Sequence, residues 1–255
     1  MSNSSLVTYT LISPNRTHHR NNKIDTITIH CVVGQWTVEQ GCKYFAQSHV
    51  EASCNYFVAK DGKIGQCVSE DDRSWTTGGN IEVNGITGKM NDHRAVTIEV
   101  ASDTTTPYAV TDAAYNALIR LVADIAKRNN IGELKWKADK SLVGKPDQQN
   151  MTVHRWFANK ACPGDYLYER MGDIAEKANA INKEENEVTE EQVQEMINNA
   201  VSDLKPTVYK TLADVPDWAL PTIESLVKNG RLKGDGNGNL NLTEDLTRAL
   251  VIMSR

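Results

Sequence analysis

No apolar run in this 255-residue chain approaches the ~20 residues needed to cross a bilayer, so a membrane-spanning helix is not expected. The first twenty positions lack a basic stretch followed by an apolar one, the pattern of a secretory signal. The expected compartment is therefore the cytoplasm of the producing cell. A surplus of positive charge is missing too. Lys and Arg number 28 against 33 Asp and Glu, a formal net charge of −5, which argues against a general nucleic-acid binder. Five cysteines (Cys31, Cys42, Cys54, Cys67 and Cys162) cannot all pair, and with no export signal they read as reduced thiols rather than a disulfide framework. With 40% apolar and 24% charged residues, the chain is an ordinary globular protein of one or two domains.

The charge is unevenly spread. Residues 1–182 carry 20 basic and 20 acidic side chains, so the whole net charge comes from residues 183–255. All five cysteines lie in the first part. The polar stretch Asn182-Lys183-Glu184-Glu185-Asn186-Glu187 has linker composition. The expected division is a catalytic domain over 1–182, a linker with a short amphipathic helix over 183–205, and a small, mainly helical domain over 206–255.

The first part alternates strands and helices, which predicts an α/β fold with a mixed central sheet flanked by helices. Residues 24–33 read as a strand, with Ile27, Ile29 and Cys31 on one face and Thr26, Thr28 and His30 on the other. Residues 56–59 and 64–68 flank the turn signal Lys60-Asp61-Gly62-Lys63, as in a hairpin. Val96, Ile98 and Val100 alternate with Thr97 and Glu99. Thr111 is placed to N-cap a helix whose stripe is Ala114, Ala117, Leu118, Leu121, Val122 and Ile125. A second helix is expected over 166–181. In the second part, Thr189-Glu190-Glu191-Gln192 fits a capping box opening a helix with a heptad-like seam at Val193, Ile197, Ala200 and Leu204. Helices are expected over 218–229 and 243–253. The intervening loop fails as an EF-hand, because Leu240 and Leu246 stand where glycine and glutamate are needed.

The segment from His154 to Gly164 carries the chemistry. His154 and Cys162, the latter in a Cys-Pro-Gly turn, suit two ligands of one metal. His30, ending an apolar strand on its polar phase, supplies a third. Two histidines and one thiolate leave one position of a zinc ion for water, the catalytic rather than the structural pattern. Such a zinc lowers the pKa of its water to about 7. Glu99, pointing away from the apolar face of its strand, is the candidate to take the water's proton. Lys160, two residues before Cys162, is the candidate donor to a developing oxyanion, and Tyr56 on the hairpin strand is a second donor. Each has a plainer alternative. His30 suits a satisfied strand-end histidine, Cys162 a packing thiol, Lys160 a solvated lysine, Glu99 an exposed sheet face, and Tyr56 a core or rim aromatic.

In order along the chain, Thr28-Ile29-His30, Asn55-Tyr56-Phe57-Val58 with Asp61-Gly62, Asn91 leading into Val96-Thr97-Ile98-Glu99-Val100, His154, and Lys160-Ala161-Cys162-Pro163-Gly164 form a set. It resembles the zinc-dependent N-acetylmuramoyl-L-alanine amidases of the type 2 family, which include amidase-type phage lysozymes and are related to peptidoglycan recognition proteins. The resemblance spans roughly residues 24–180. It implies that His30, His154 and Cys162 bind Zn2+ and that Lys160 stabilises the transition state. Glu99 ranks first and Tyr56 second as activator of the water. The reaction implied is cleavage of the amide between N-acetylmuramic acid and L-alanine in peptidoglycan.

Farther on, Asp214-Val215-Pro216, Trp218-Ala219 and Thr247-Arg248-Ala249 arrive in the order of a single surface-layer homology module. That resemblance implies binding to a secondary cell-wall polymer, with self-association of the chain as one way to compensate for a single copy. Together these expectations describe an endolysin that reaches the wall after release at lysis. The alternatives are a non-catalytic peptidoglycan receptor and a cysteine hydrolase using Cys162 and His154.

Overall fold

The computed structural model describes residues 3–184, 193–198 and 206–254. Contacts cluster into two compact units, Met1–Glu187 and Val188–Arg255.

The first unit is built on a six-stranded mixed sheet, in the order β1 (Tyr9–Thr10), β5 (Ile64–Gln66), β4 (Tyr56–Val58), β7 (Ala95–Val100), β3 (Thr26–Cys31) and β8 (Met151–Val153). A side ribbon pairs β2 (Arg16–Thr17) with β6 (Arg73–Ser74). Strands β4, β7, β3 and β8 run parallel to one another, and β5 turns back antiparallel to β4 as the expected hairpin. The carboxyl ends of β7, β3 and β8 thus meet at one edge of the sheet, where open α/β sheets hold their ligands.

Side chains alternate across the sheet with period two. Ile27, Ile29, Ile98, Tyr56 and Val58 join the core under α3 (Asp112–Arg128) and α4 (Asp165–Glu184). Phe57 belongs to a separate core under α1 (Val38–Phe45) with Val38, Cys42 and Phe45. The Thr111 hydroxyl accepts from the Ala114 amide and caps α3, and all six residues of the expected stripe are buried. Truncating one of them, Leu118→Ala, costs about 2–5 kcal/mol. The polar phase of β3 is not solvated as its composition suggests. Thr26, Thr28 and His30 are buried, because α2 (Gly88–Arg94) and the loop after β6 supply polar partners on that face.

Strand β3 stops before residue 33. Val33 takes a left-handed φ of 55°, an uncommon and strained choice for a β-branched residue, and turns the chain outward. The five cysteines are free, and the sulfurs of Cys42 and Cys67 lie 3.5 Å apart.

In the second unit β9 (Val208–Tyr209) pairs antiparallel with β10 (Leu242–Thr243). Helices α5 (Leu220–Lys228) and α6 (Glu244–Met253) pack around Val215, Ala219, Ile223, Leu242 and Val251. Asp235 accepts from the amides of Asn237 and Asn239 and from the Asn239 side chain, so its carboxylate is satisfied within the glycine-rich turn. Residues 193–198 are helical, whereas the capping box at 189–192 and the seam positions Ala200 and Leu204 lie outside the described residues. Among the described residues no helix is long and apolar enough to cross a membrane.

Candidate active site

Parallel pairing places the candidate residues side by side. His30 and Glu99 are register partners on β3 and β7. Because Ile29 pairs with Val153, His154 leaves β8 beside His30. The two imidazole centroids lie 5.0 Å apart. The turn after His154 brings back Cys162, whose Sγ sits 3.4 Å from Nδ1 of His30, 132 residues away in sequence. One ligand atom from each of His30, His154 and Cys162 lies within 4.8 Å of the other two.

The protonation pattern follows from hydrogen bonds on the far sides of the rings. Nε2 of His154 lies 2.8 Å from the carbonyl oxygen of Gly78, which can only accept, so Nε2 carries the proton and Nδ1 keeps its lone pair. Nε2 of His30 meets the Thr77 hydroxyl at 3.2 Å, leaving Nδ1 toward Cys162. Burial holds His30 well below the usual histidine range, helped by His154 and the Lys160 ammonium. His154 is lowered as well, by burial and then Lys160, against the opposing Gly78 bond. Both rings are thus neutral donors. Burial pushes the Cys162 thiol up, with Cys31 and Glu99 adding to it.

This donor set fits a zinc ion. Two neutral imidazoles and a thiol converge, each imidazole oriented by an outer hydrogen bond. Protein-bound zinc is four-coordinate with Zn–N near 2.0–2.1 Å and Zn–S near 2.3 Å, and it displaces a thiol proton on binding. The orphaned carboxylate oxygen beside the cluster fits as well. Oε1 of Glu99 lies 4.0 Å from His30 Nδ1, and Oε2 is buried with no hydrogen-bond partner among the described residues. Burial raises the Glu99 carboxyl well above its ordinary range, while Lys160 opposes the shift.

These groups open into a cleft of about 440 Å³. Glu99, His154, Lys160 and Cys162 line it, and Val33, Trp36, Tyr44 and Tyr108 form apolar walls. Trp36 and Tyr44 contact each other with ring centroids 5.1 Å apart.

Tyr56 is the candidate that the structure does not bring to the site. It pairs with Ile98, not Glu99, and so faces the core under α3. Its hydroxyl donates to Glu70 at 2.5 Å and accepts from the Ser4 amide at 2.9 Å. A group buried on the opposite face cannot act on a water in the cleft. The Trp156 ring is stacked on Trp136, with centroids 5.0 Å apart. The sequence reading missed the Trp36 and Tyr44 wall and the Thr77-Gly78 pair behind the histidines. The only signal for the latter was the small, turn-forming run Thr76-Thr77-Gly78-Gly79.

The parallel carboxyl ends of the six-stranded sheet gather the His-His-Cys cluster with the Glu99 carboxylate beside it, the arrangement of a candidate active site. Residues 20–165, more than half of the chain, match the family described as Amidase_2: N-acetylmuramoyl-L-alanine amidase. The chain belongs to that family. Among solved structures it is similar to the Staphylococcus aureus hydrolase AmiA in complex with its ligand, at 17% identity over 72% of this chain and 94% of that one, with a TM-score of 0.51. That likeness shows a shared fold. Similarities to PlyL (16% identity, 67% of this chain and 95% of that one, TM-score 0.49) and to a selenomethionine derivative of AmpD (20% identity, 68% and 96%, TM-score 0.49) are also found. A search of curated proteins finds no match.

Proposed function

We propose that this protein is a zinc-dependent peptidoglycan amidase that hydrolyses the bond between N-acetylmuramic acid and L-alanine. The observation that carries the reading is the convergence of His30, His154 and Cys162 next to Glu99, whose Oε2 is buried with no hydrogen-bond partner among the described residues. Zinc held by those three residues would supply a polarised carbonyl and an acidified water. Glu99 takes the proton of the attacking water and returns it to the departing amine of L-alanine. The Lys160 ammonium meets the negative charge that develops on the carbonyl oxygen. Val33, Trp36 and Tyr44 give the sugar and stem peptide an apolar wall.

The second unit is read as a wall-binding module of the surface-layer homology kind. Trp218, 47% exposed, lies under the Arg248 guanidinium at 5.3 Å, which leaves an aromatic–cation surface for a polymer. Val193 and Ile197 are exposed on the helical segment 193–198, which supports self-association as the source of avidity for a single module. Such a chain fits an endolysin, made inside the producing cell and acting on the wall once lysis begins.

The test is to measure bound metal and then assay release of stem peptides from purified walls, with and without a chelator. About one zinc per chain, with activity lost on chelation and restored by zinc, is the expected result. No cleavage with intact wall binding would indicate the receptor reading. Activity that survives chelation but not thiol alkylation would indicate a nucleophilic Cys162. Burial disfavours that last reading, since it keeps the thiol protonated.

A further inference from the structure

Both imidazoles are oriented by one short loop, Thr77 behind His30 and Gly78 behind His154. That loop is itself held from α2. Oδ2 of Asp92 accepts from the backbone amides of Thr76 at 3.0 Å and Thr77 at 2.8 Å. Asp92 is buried, and its other oxygen has no partner among the described residues. One turn earlier, Gly88 packs so tightly on the Thr77 carbonyl that an added methyl group would collide with it. The same helix reaches the two strands that carry the histidines. The Asn91 amide donates to the Thr28 hydroxyl at 2.9 Å, and its carbonyl accepts from Thr152 at 3.3 Å. Thr28 and Thr152 are each two residues before a histidine, and their hydroxyls bond to each other at 2.8 Å.

We propose that α2 is the bracket that presets the metal site, with Asn91 and Asp92 as positioning residues acting on both histidines through the Thr76–Gly78 loop and the Thr28–Thr152 pair. The inference rests on the metal reading above. Neither residue touches the metal cluster. Asn91 sets where the two strands end relative to each other. Asp92 sets where the two outer acceptors stand. Fixing both in the folded chain before a cation arrives removes a reorganisation cost from binding, the usual work of an outer shell.

The experiment uses the full chain, loaded with Co2+ for its absorption and with Zn2+ in competition against a chromophoric chelator. Asp92→Ala is expected to bind both ions about 10–100-fold more weakly, with a changed Co2+ d–d spectrum. Asp92→Asn, whose amide oxygen still accepts from both backbone amides, is expected to restore affinity to within about threefold of wild type. Thr77→Val keeps the loop and removes only the outer partner of His30. It tests the same chain of contacts should Asp92→Ala fail to fold, and weaker binding with an altered spectrum is expected. Leu118→Ala, in the core under α3, lowers thermal stability and is expected to leave affinity and spectrum unchanged. Wild-type affinity and spectrum in Asp92→Ala, or in Thr77→Val where the former does not fold, would overturn the proposal. So would an equal loss in Leu118→Ala. Failure of the wild-type chain to bind one equivalent of either ion would overturn the metal reading and this inference with it.

Discussion

Tyr56 and Glu99 stand on adjacent parallel strands yet face opposite sides of the sheet, because Phe57, not Tyr56, is the register partner of Glu99. The pairing separates two side chains that the sequence offered for one task. Glu99→Gln is expected to lower turnover by about 10²–10⁴-fold, the usual contribution of a general base, while zinc stays bound. Tyr56→Phe is expected to leave turnover unchanged and to cost about 1.5–3 kcal/mol of stability through the lost bond to Glu70. Steady-state assays and urea unfolding of both variants check the pair. A turnover defect in Tyr56→Phe at full folding would contradict the placement.

Lys160 lines the cleft as an exposed side chain and lowers the protonation of both histidines through its charge. Lys160→Ala is expected to retain one zinc per chain and to slow turnover by about 10²–10³-fold, with a smaller effect on KM, because the missing donor acts on charge that develops only in the transition state. Metal analysis beside kcat and KM decides it. An unchanged kcat removes Lys160 from the mechanism.

Asp92 gives a stability signature distinct from its effect on the site. Burial pushes its carboxyl up from 3.8 to about 6, against the bonds from Thr77 and Thr76 and the charge of Arg73. The folded chain therefore holds this proton more tightly than the unfolded one. The associated stability is fully present below about pH 4 and is lost as pH rises through about 6. In chelator, wild type should lose stability relative to Asp92→Asn between pH 4.5 and 7. Parallel curves for the two proteins would show that the carboxyl titrates normally.

Removal of residues 188–255 leaves the first unit by itself. The first unit is expected to keep its fold and its hydrolysis of small soluble muropeptides, since its cores close without the second. Its pelleting with intact walls should fall at least tenfold. Undiminished pelleting would place wall affinity in the catalytic unit.

The legible part of the fold follows from local periodicity. The α3 stripe and its Thr111 cap need only the spacing of apolar residues and a hydroxyl at the right offset, and both stand as read. Helix α1 was missed although Thr37 and Gln40 form a capping box, because its eight residues carry only a short apolar face. Helix α2 was missed for a similar reason. It is seven residues long, and its buried face is glycine, asparagine and aspartate, residues that read as loop.

The sequence by itself determined which groups were available: two imidazoles and a thiol on strand ends and a turn, and a glutamate on a polar strand phase. Alternation along one strand assigns a residue to one face or the other, and the chemistry of a ligand set follows from residue type. Tertiary structure alone decided which of these groups meet. Sheet register brought Glu99 to His30 and sent Tyr56 to the opposite core. Long-range hydrogen bonds put Thr77 and Gly78 behind the histidines, with α2 behind them. Register and such contacts depend on partners tens of residues away, whose positions no local pattern encodes.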